Sequence, residues 1–196
     1  MPPPGPLRVP SALGERKQQY GQCKVKELLL NNKTMDLCQL PVVTLTKRGL
    51  GCYRRTWCIP SADLSTTLQA MDNRVRQLDA GGGNYPWQPV LNAGRFVVET
   101  RCCTFYDVME DGQLRQLSSL HAKSLRGRRV VFHVRPVVAY ATWRGVRWSG
   151  LRFFAHAAVV LPDSDKNKNK RCRQQHLNAD DFGQWGRVTK HPRGVV

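Results

Sequence analysis

Two long β-prone segments separated by a tight turn constrain this sequence more than any other feature. Residues 130–141 and 146–161 are rich in β-branched and aromatic residues, and the turn at residues 143–145 contains a glycine. This pattern predicts a long β-hairpin. Basic side chains are mixed into it, with five arginines between positions 128 and 147. A sheet does not need this mixture, whereas a ribbon that stacks bases and holds phosphates does.

The charge of the chain points to a polyanionic partner. Its 196 residues include 31 Lys and Arg against 14 Asp and Glu, which gives a formal net charge of +17. Solubility needs only a few net charges, so the excess predicts contact with nucleic acid or, less often, an anionic membrane surface. No apolar run reaches the roughly 20 residues that span a bilayer. The first residues lack the apolar core of a signal peptide, so we expect an intracellular protein without a membrane partner.

Composition divides the chain into three parts. Residues 1–22 begin with prolines and continue with charged and polar residues, which predicts a flexible N-terminal arm. Residues 23–162 contain the periodic segments and form the predicted nucleic-acid-binding domain. Residues 163–196 form a basic C-terminal tail, with five lysines and arginines between positions 166 and 173.

Short strand-like segments and one helix are predicted inside the domain. Strand patterns at 23–30, 37–46, 51–59 and 95–106, with turn residues between them, are typical of a small barrel or sandwich. The helix is predicted over residues 62–78, capped by Ser61, with one apolar stripe every three or four residues. Residues 114–125 predict a second, short helix. The stripe of the first helix consists of Leu64, Leu68, Met71, Val75 and Leu78.

Alternation along the hairpin sorts its side chains into two faces. On the returning strand, an aromatic and basic set is predicted to be exposed, namely Trp148, Arg152, Phe154 and His156. The opposite set is mostly small and apolar and suits an interior, namely Arg147, Leu151, Phe153, Ala155, Ala157 and Val159. Pro136 cannot donate a ladder hydrogen bond, so it predicts a bulge or an edge. The candidate nucleic-acid-binding residues are Arg128, Arg129, Arg135, Tyr140, Trp143, Arg144, Arg147, Trp148, Arg152 and Phe154.

Catalytic and metal chemistry find little support in the sequence. The five histidines show no H-E-x-x-H or similar ligand spacing, and the few carboxylates cluster only in turns. The seven cysteines include no C-x-x-C pair, so reduced, partly buried thiols fit better than a zinc site. We therefore expect no cofactor, no metal and no enzymatic activity.

From residue 85 to residue 162 the chain resembles the single-stranded DNA-binding proteins of large DNA viruses of algae and protists. The resemblance rests on Tyr85-Pro86, on the strand end at residues 104–107, on the Asp111-Gly112 turn and on the hairpin that closes the segment. In the hairpin it rests on residues 136–138, 145–148 and 159–162. It implies an OB-fold and a DNA contact through Trp143, Arg144, Arg147, Trp148 and Arg152. The chain ends basic where such proteins often end acidic, which leaves room for a packaging or RNA-coating role.

Together these patterns predict a mainly β, OB-like β-barrel with one covering α-helix and flexible basic tails. We expect it to bind single-stranded nucleic acid without sequence specificity, DNA rather than RNA, in replication, recombination or repair. If the protein is viral, its location is the host nucleus or a viral replication compartment, and a homo-oligomer is left open. The alternative is a viral capsid or nucleoprotein subunit whose basic arms neutralise a packaged genome. An RNA-binding or ribosome-associated protein would fit the charge equally well.

Overall fold

The computed structural model describes residues 4–18, 23–35, 37–46, 55–79, 84–117 and 125–162. In these ranges the chain is mainly β, with twelve strands in one sheet and one α-helix. The elements in chain order are β1 (Gly5–Pro6), β2 (Ala12–Gln18), β3 (Lys24–Leu30), β4 (Lys33–Thr34), β5 (Cys38–Gln39), β6 (Val43–Leu45), β7 (Arg55–Ile59), α1 (Ala62–Leu78), β8 (Phe96–Glu99), β9 (Thr104–Val108), β10 (Leu114–Gln116), β11 (Arg129–Trp143) and β12 (Val146–Val160).

The long hairpin predicted from the sequence is confirmed. Strands β11 and β12 pair antiparallel from Val130 opposite Val160 to Trp143 opposite Val146. The loop between them has only two residues, Arg144 and Gly145, whose φ angles are 49° and 78°. Two positive φ angles are the geometry of a type I′ turn, whose twist matches that of the flanking strands. The asparagine or glycine usual at the first position is replaced by an arginine.

Five strands pair in a closed circuit. Strand β11 pairs with β6, β6 with β7 and β7 with β8, all antiparallel. Strand β8 then pairs parallel with β12, which returns to β11. The inner side of this circuit holds the main core, to which α1 contributes its apolar stripe. Both strands of the hairpin therefore belong to the circuit, and their pairing with each other closes it.

Residues 5–6 and 12–18 lie in the sheet, in contrast to the flexible arm predicted over residues 1–22. Strand β1 pairs parallel with β5, and β2 pairs antiparallel with β3. Strand β3 pairs in turn with β11. Sequence periodicity missed β2 because an edge strand is held largely by backbone hydrogen bonds and can keep charged side chains in solvent. Leu13 is the residue of β2 that packs against the main core.

Helix α1 has the bounds predicted from the sequence, Ala62–Leu78. The Ser61 hydroxyl accepts a hydrogen bond from the backbone N–H of Leu64 at 3.2 Å, which caps the first turn. Four members of the predicted stripe are buried, and Leu78 is half-buried. The helix ends at Leu78, and the N–H of its C-cap residue Asp79 donates to the Val75 carbonyl.

A bulge in the hairpin changes the predicted faces. His133 pairs with Ala157 and Val134 pairs with Ala155, so His156 is an extra residue on β12. Before the bulge, Leu151, Phe153 and Ala155 face the main core as predicted, and beyond it the phase shifts by one residue. Ala158 and Val160 belong to the main core there, instead of the predicted Ala157 and Val159.

Pro136 is not the site of this bulge. It stays in register opposite Phe153. On its other side, the pairing of β11 with β5 ends at Val134 and the pairing with β3 begins at Val137. The missing N–H of Pro136 therefore falls in the gap between two partner strands, where it costs no ladder hydrogen bond.

Two further predictions need correction. The single strand predicted over 95–106 is interrupted by a turn in which the Cys103 N–H bonds to the Thr100 carbonyl at 3.2 Å. The turn shifts the side-chain alternation, so that Phe105 joins the main core together with Phe96 and Val98. Residues 114–116 of the second predicted helix form strand β10, because the turn at residues 109–113 folds them back onto β9. Residues 118–124 of that prediction, like the tail over 163–196, lie outside the described residues.

Candidate nucleic-acid interface

The outer face of the sheet carries a second, smaller apolar cluster. Val25, Val137 and Ala139 are buried there, and Cys23, Trp148 and Phe154 pack against them while remaining partly exposed. We call Arg55, Arg152, Trp148 and Phe154, together with the carboxylate of Glu99, the outer-face patch. Register explains it: on β12 every second side chain before the bulge points away from the main core. Trp148 and Phe154 therefore offer half-exposed rings on a rigid sheet.

Guanidinium groups lie over the tryptophan ring of the patch. The Cζ atom of Arg152 is 4.6 Å from the ring centroid of Trp148, and that of Arg55 is 6.0 Å away. Arg152 is held in place by hydrogen bonds from its guanidinium to the Gln88 side-chain oxygen at 2.8 Å and to the Leu151 carbonyl at 3.0 Å. Cation and ring are thus preorganised together, as cation–π geometry requires.

Carboxylates balance the cations of the outer face. Arg55 forms an ion pair with Glu99 at 2.9 Å, and Arg135 forms one with Glu27. Burial raises the pKa of Glu99, while the charges of Arg55 and Arg152 act against that rise. Burial also lowers the pKa of Arg152. The outer face is therefore aromatic but close to charge balance.

The opposite face of the same hairpin has a different composition. Tyr140 is buried, and its hydroxyl donates a hydrogen bond to the Asp79 carboxylate at 2.6 Å. Burial, followed by the hydrogen bond and charge of Asp79, raises the pKa of Tyr140. Tyr85 meets Tyr140 edge-on, with centroids 5.8 Å apart, and stays partly exposed.

Cations surround these two tyrosines. Arg16 lies 3.8 Å from the centroid of Tyr140 and 5.8 Å from that of Tyr85, and Arg147 lies 5.8 Å from Tyr85. Lys26 pairs with Asp79 at 2.7 Å. The exposed Lys24 is in register with Tyr140 and shares its face. We call this group the tyrosine cluster; its members are Arg16, Lys24, Lys26, Asp79, Tyr85, Tyr140 and Arg147.

The remaining predicted residues lie at the two ends of the hairpin. Arg144 is an exposed turn residue, and Trp143 ends β11, its side chain outside the described part. Next to the turn, Val146 is 64% exposed. Arg129 begins β11 at the far end and is exposed. Arg128 donates to the Leu161 carbonyl at 2.9 Å, a contact that closes the end of β12.

The structure therefore does not gather the ten predicted residues on one surface. Arg135, Trp148, Arg152 and Phe154 share the outer face, whereas Arg147 lies on the opposite one. The Tyr140 ring is buried and belongs to the core, so we remove it from the candidate stacking residues. Five contributors of the two faces were missed: Arg16, Lys24, Lys26, Arg55 and Tyr85. Their signal in the sequence is weak, because it depends on register between strands that are distant in the chain.

Comparison with protein-family models, with curated proteins and with solved structures found no match. Among the described residues, no helix has the length and apolar character needed to cross a membrane. In the same ranges, no three His, Cys, Asp or Glu side chains come together as metal ligands would.

Proposed function

We propose that this protein binds single-stranded nucleic acid without sequence specificity and without a chemical step. DNA is the favoured ligand, in replication, recombination or repair. The observation that carries the proposal is the partly exposed Trp148 ring, fixed on a sheet face beside the guanidinium of Arg152. Aromatic rings stack any base, and cations hold the backbone regardless of sequence.

The fold and the charge support the same proposal. A closed circuit of five strands with α1 inserted between β7 and β8 supports an OB-like barrel. We propose that architecture, and with it the relation to the viral single-strand binders. The net charge of +17 supplies the long-range attraction to a polyanion. Stacking selects single strands, because the bases of a duplex are stacked on one another and cannot reach a side chain.

Fluorescence titration with single-stranded DNA, single-stranded RNA and duplex at two salt concentrations tests the proposal. Single strands should quench tryptophan emission and bind more tightly than duplex. Trp148→Ala should remove about 1–3 kcal/mol of binding free energy, the usual value of one stacked base. Trp148→Phe should keep most of it, because the ring is retained.

A matched control distinguishes the local contact of Arg152 from the attraction exerted by the net positive charge of the chain. Arg115 is an exposed cation on the edge strand β10, paired with Asp107 at 3.7 Å. Arg152→Ala and Arg115→Ala remove the same charge, but only the former should lower the affinity beyond a small salt-sensitive change. Equal affinity for duplex, or a Trp148→Ala protein that binds like the parent, would contradict the proposal. Loss of binding only on removal of residues 163–196 would favour the genome-packaging alternative instead.

A further inference from the structure

The tyrosine cluster lies on the face opposite Trp148, although Arg147 and Trp148 are neighbours in sequence. Trp148 is in register with Ala141 and packs on the outer cluster, whereas Arg147 is in register with Thr142 and reaches Tyr85. One flat ligand surface therefore cannot include both. A ligand that touches both must pass around the turn end of the hairpin, where Arg144 and Val146 are exposed.

We propose that the tyrosine cluster is a second contact for the same single strand, which passes around the hairpin end from Trp148 to Tyr85. This inference rests on the proposed function. In it, Tyr85 stacks one base, and Arg16, Lys24 and Arg147 hold the phosphates on either side.

Tyr85 is a rigid stacking platform. Its carbonyl accepts a hydrogen bond from the Ser149 hydroxyl at 3.0 Å. The following residues bond to both backbone groups of Ser149: the Ser149 N–H donates to the Pro86 carbonyl at 2.9 Å, and the Gln88 N–H donates to the Ser149 carbonyl at 2.7 Å. The Tyr140 ring then fixes the Tyr85 ring edge-on. A preorganised ring loses little entropy when a base stacks on it.

The cluster also has a local excess of positive charge. Arg16, Lys24, Lys26 and Arg147 contribute four cations, against the carboxylate of Asp79 among the described members. That carboxylate already accepts hydrogen bonds from Lys26 and from the Tyr140 hydroxyl. The phosphates of a bound strand would be attracted to this positive charge. The outer-face patch, by contrast, has its own carboxylate.

An oligonucleotide length series with the full chain tests the inference. A short oligo-dT, about 4 nucleotides, should fill one face, and one of about 16 should reach both, the range of site sizes for a single OB-fold. The parent protein should gain affinity strongly between these lengths. In the double variant Tyr85→Ala, Arg147→Ala, the ratio of the affinities for the long and the short oligomer should be at least about tenfold smaller than in the parent. The variant should still form a Trp148-dependent complex with the short oligomer.

Controls separate this contact from folding and from the proposed function. Tyr85→Phe keeps the ring and should bind like the parent, and Arg115→Ala removes an equal charge elsewhere. Urea unfolding should show that each variant is folded. If Trp148→Ala weakens binding but the double variant keeps the full gain with length, this inference is wrong and the proposed function stands. If no length of oligomer binds, the proposed function itself is wrong.

Discussion

The two faces of the β11–β12 hairpin carry aromatic rings in opposite electrostatic settings. On the outer face, Glu99 and Glu27 pair with arginines beside Trp148 and Phe154. On the other face, Arg16, Lys26 and Arg147 lie near the two tyrosines, Lys24 shares their face, and among these described residues Asp79 is the carboxylate, paired with Lys26. The difference teaches that one ribbon can present aromatic rings in two electrostatic settings. A single hairpin separates them because its side chains alternate between faces.

The largest expected effect concerns the carboxylate that the tyrosine cluster needs for its own stability. Asp79→Ala leaves the buried Tyr140 hydroxyl and the partly buried Lys26 amine without their partner. We expect a loss of about 2–3 kcal/mol in the free energy of unfolding, measured in urea. On the outer face, Arg55 is 58% exposed, so Arg55→Ala should cost under about 1 kcal/mol. Similar losses for both variants would break the comparison.

The next effect tests residues 85–88, which contribute Tyr85 to one face and Gln88, the hydrogen-bond partner of Arg152, to the other. Gly150 lies between Trp148 and Arg152, and a Cβ atom there would be 2.7 Å from the Gln88 carbonyl oxygen. Gly150→Ala must push the backbone of residues 85–88 away, and we expect a cost of about 1–3 kcal/mol in stability. Gly5→Ala is the control, because nothing lies within 4 Å of the added atom. An unchanged urea midpoint for Gly150→Ala would show that the segment is not tightly held.

The salt dependence of binding should differ between the faces. Arg147 is exposed on the cation-rich face, so Arg147→Ala should reduce the slope of log affinity against log salt by about 0.7, the value of one phosphate contact. Trp148→Ala should lower affinity at every salt concentration and leave the slope unchanged. Titrations of oligo-dT at four salt concentrations measure both. A slope change for Trp148→Ala alone would reverse the assignment of roles.

The smallest effect is a gain. Glu99→Gln removes the carboxylate nearest to Arg55 and leaves that guanidinium to the ligand. We expect the affinity for oligo-dT to rise about two- to fivefold at low salt, and less at high salt because the added attraction is screened. Glu15→Gln, which removes an equal charge from an exposed position of β2, should change the affinity less. A decrease in affinity for Glu99→Gln would mean that the carboxylate orients Arg55 for binding.

Local patterns predicted local structure well. Helix α1 and its cap follow from periodicity and one serine, and the hairpin follows from two β-branched runs and a glycine turn. The inward set on β12 was right for Leu151, Phe153 and Ala155, because alternation is a local property of a strand. It failed beyond His156, because the bulge depends on how two strands fit together.

The candidate site was harder to predict because it depends on contacts between distant segments. Tyr85 reaches the hairpin across 55 residues of sequence before Tyr140, and Arg16 arrives from an edge strand with no apolar pattern. The sequence does not distinguish Tyr140 from the exposed rings of the hairpin, whereas the strand register shows that it points inward. The outer-face patch was found in part, since Trp148, Arg152 and Phe154 are separated by four and two residues on one strand and therefore share a face.

Because His156 is an extra residue, the alternation of side chains between the two faces shifts by one residue from one half of β12 to the other. Deleting one residue between Val146 and Ala155 would turn every side chain on the turn side of the deletion, exchanging the faces of Arg147 and Trp148. Deleting His156 instead would straighten the strand and leave Ala158 opposite Phe132 and Val160 opposite Val130, still in the core. The affinities of a set of such one-residue deletion variants would therefore show which face of the hairpin the ligand contacts.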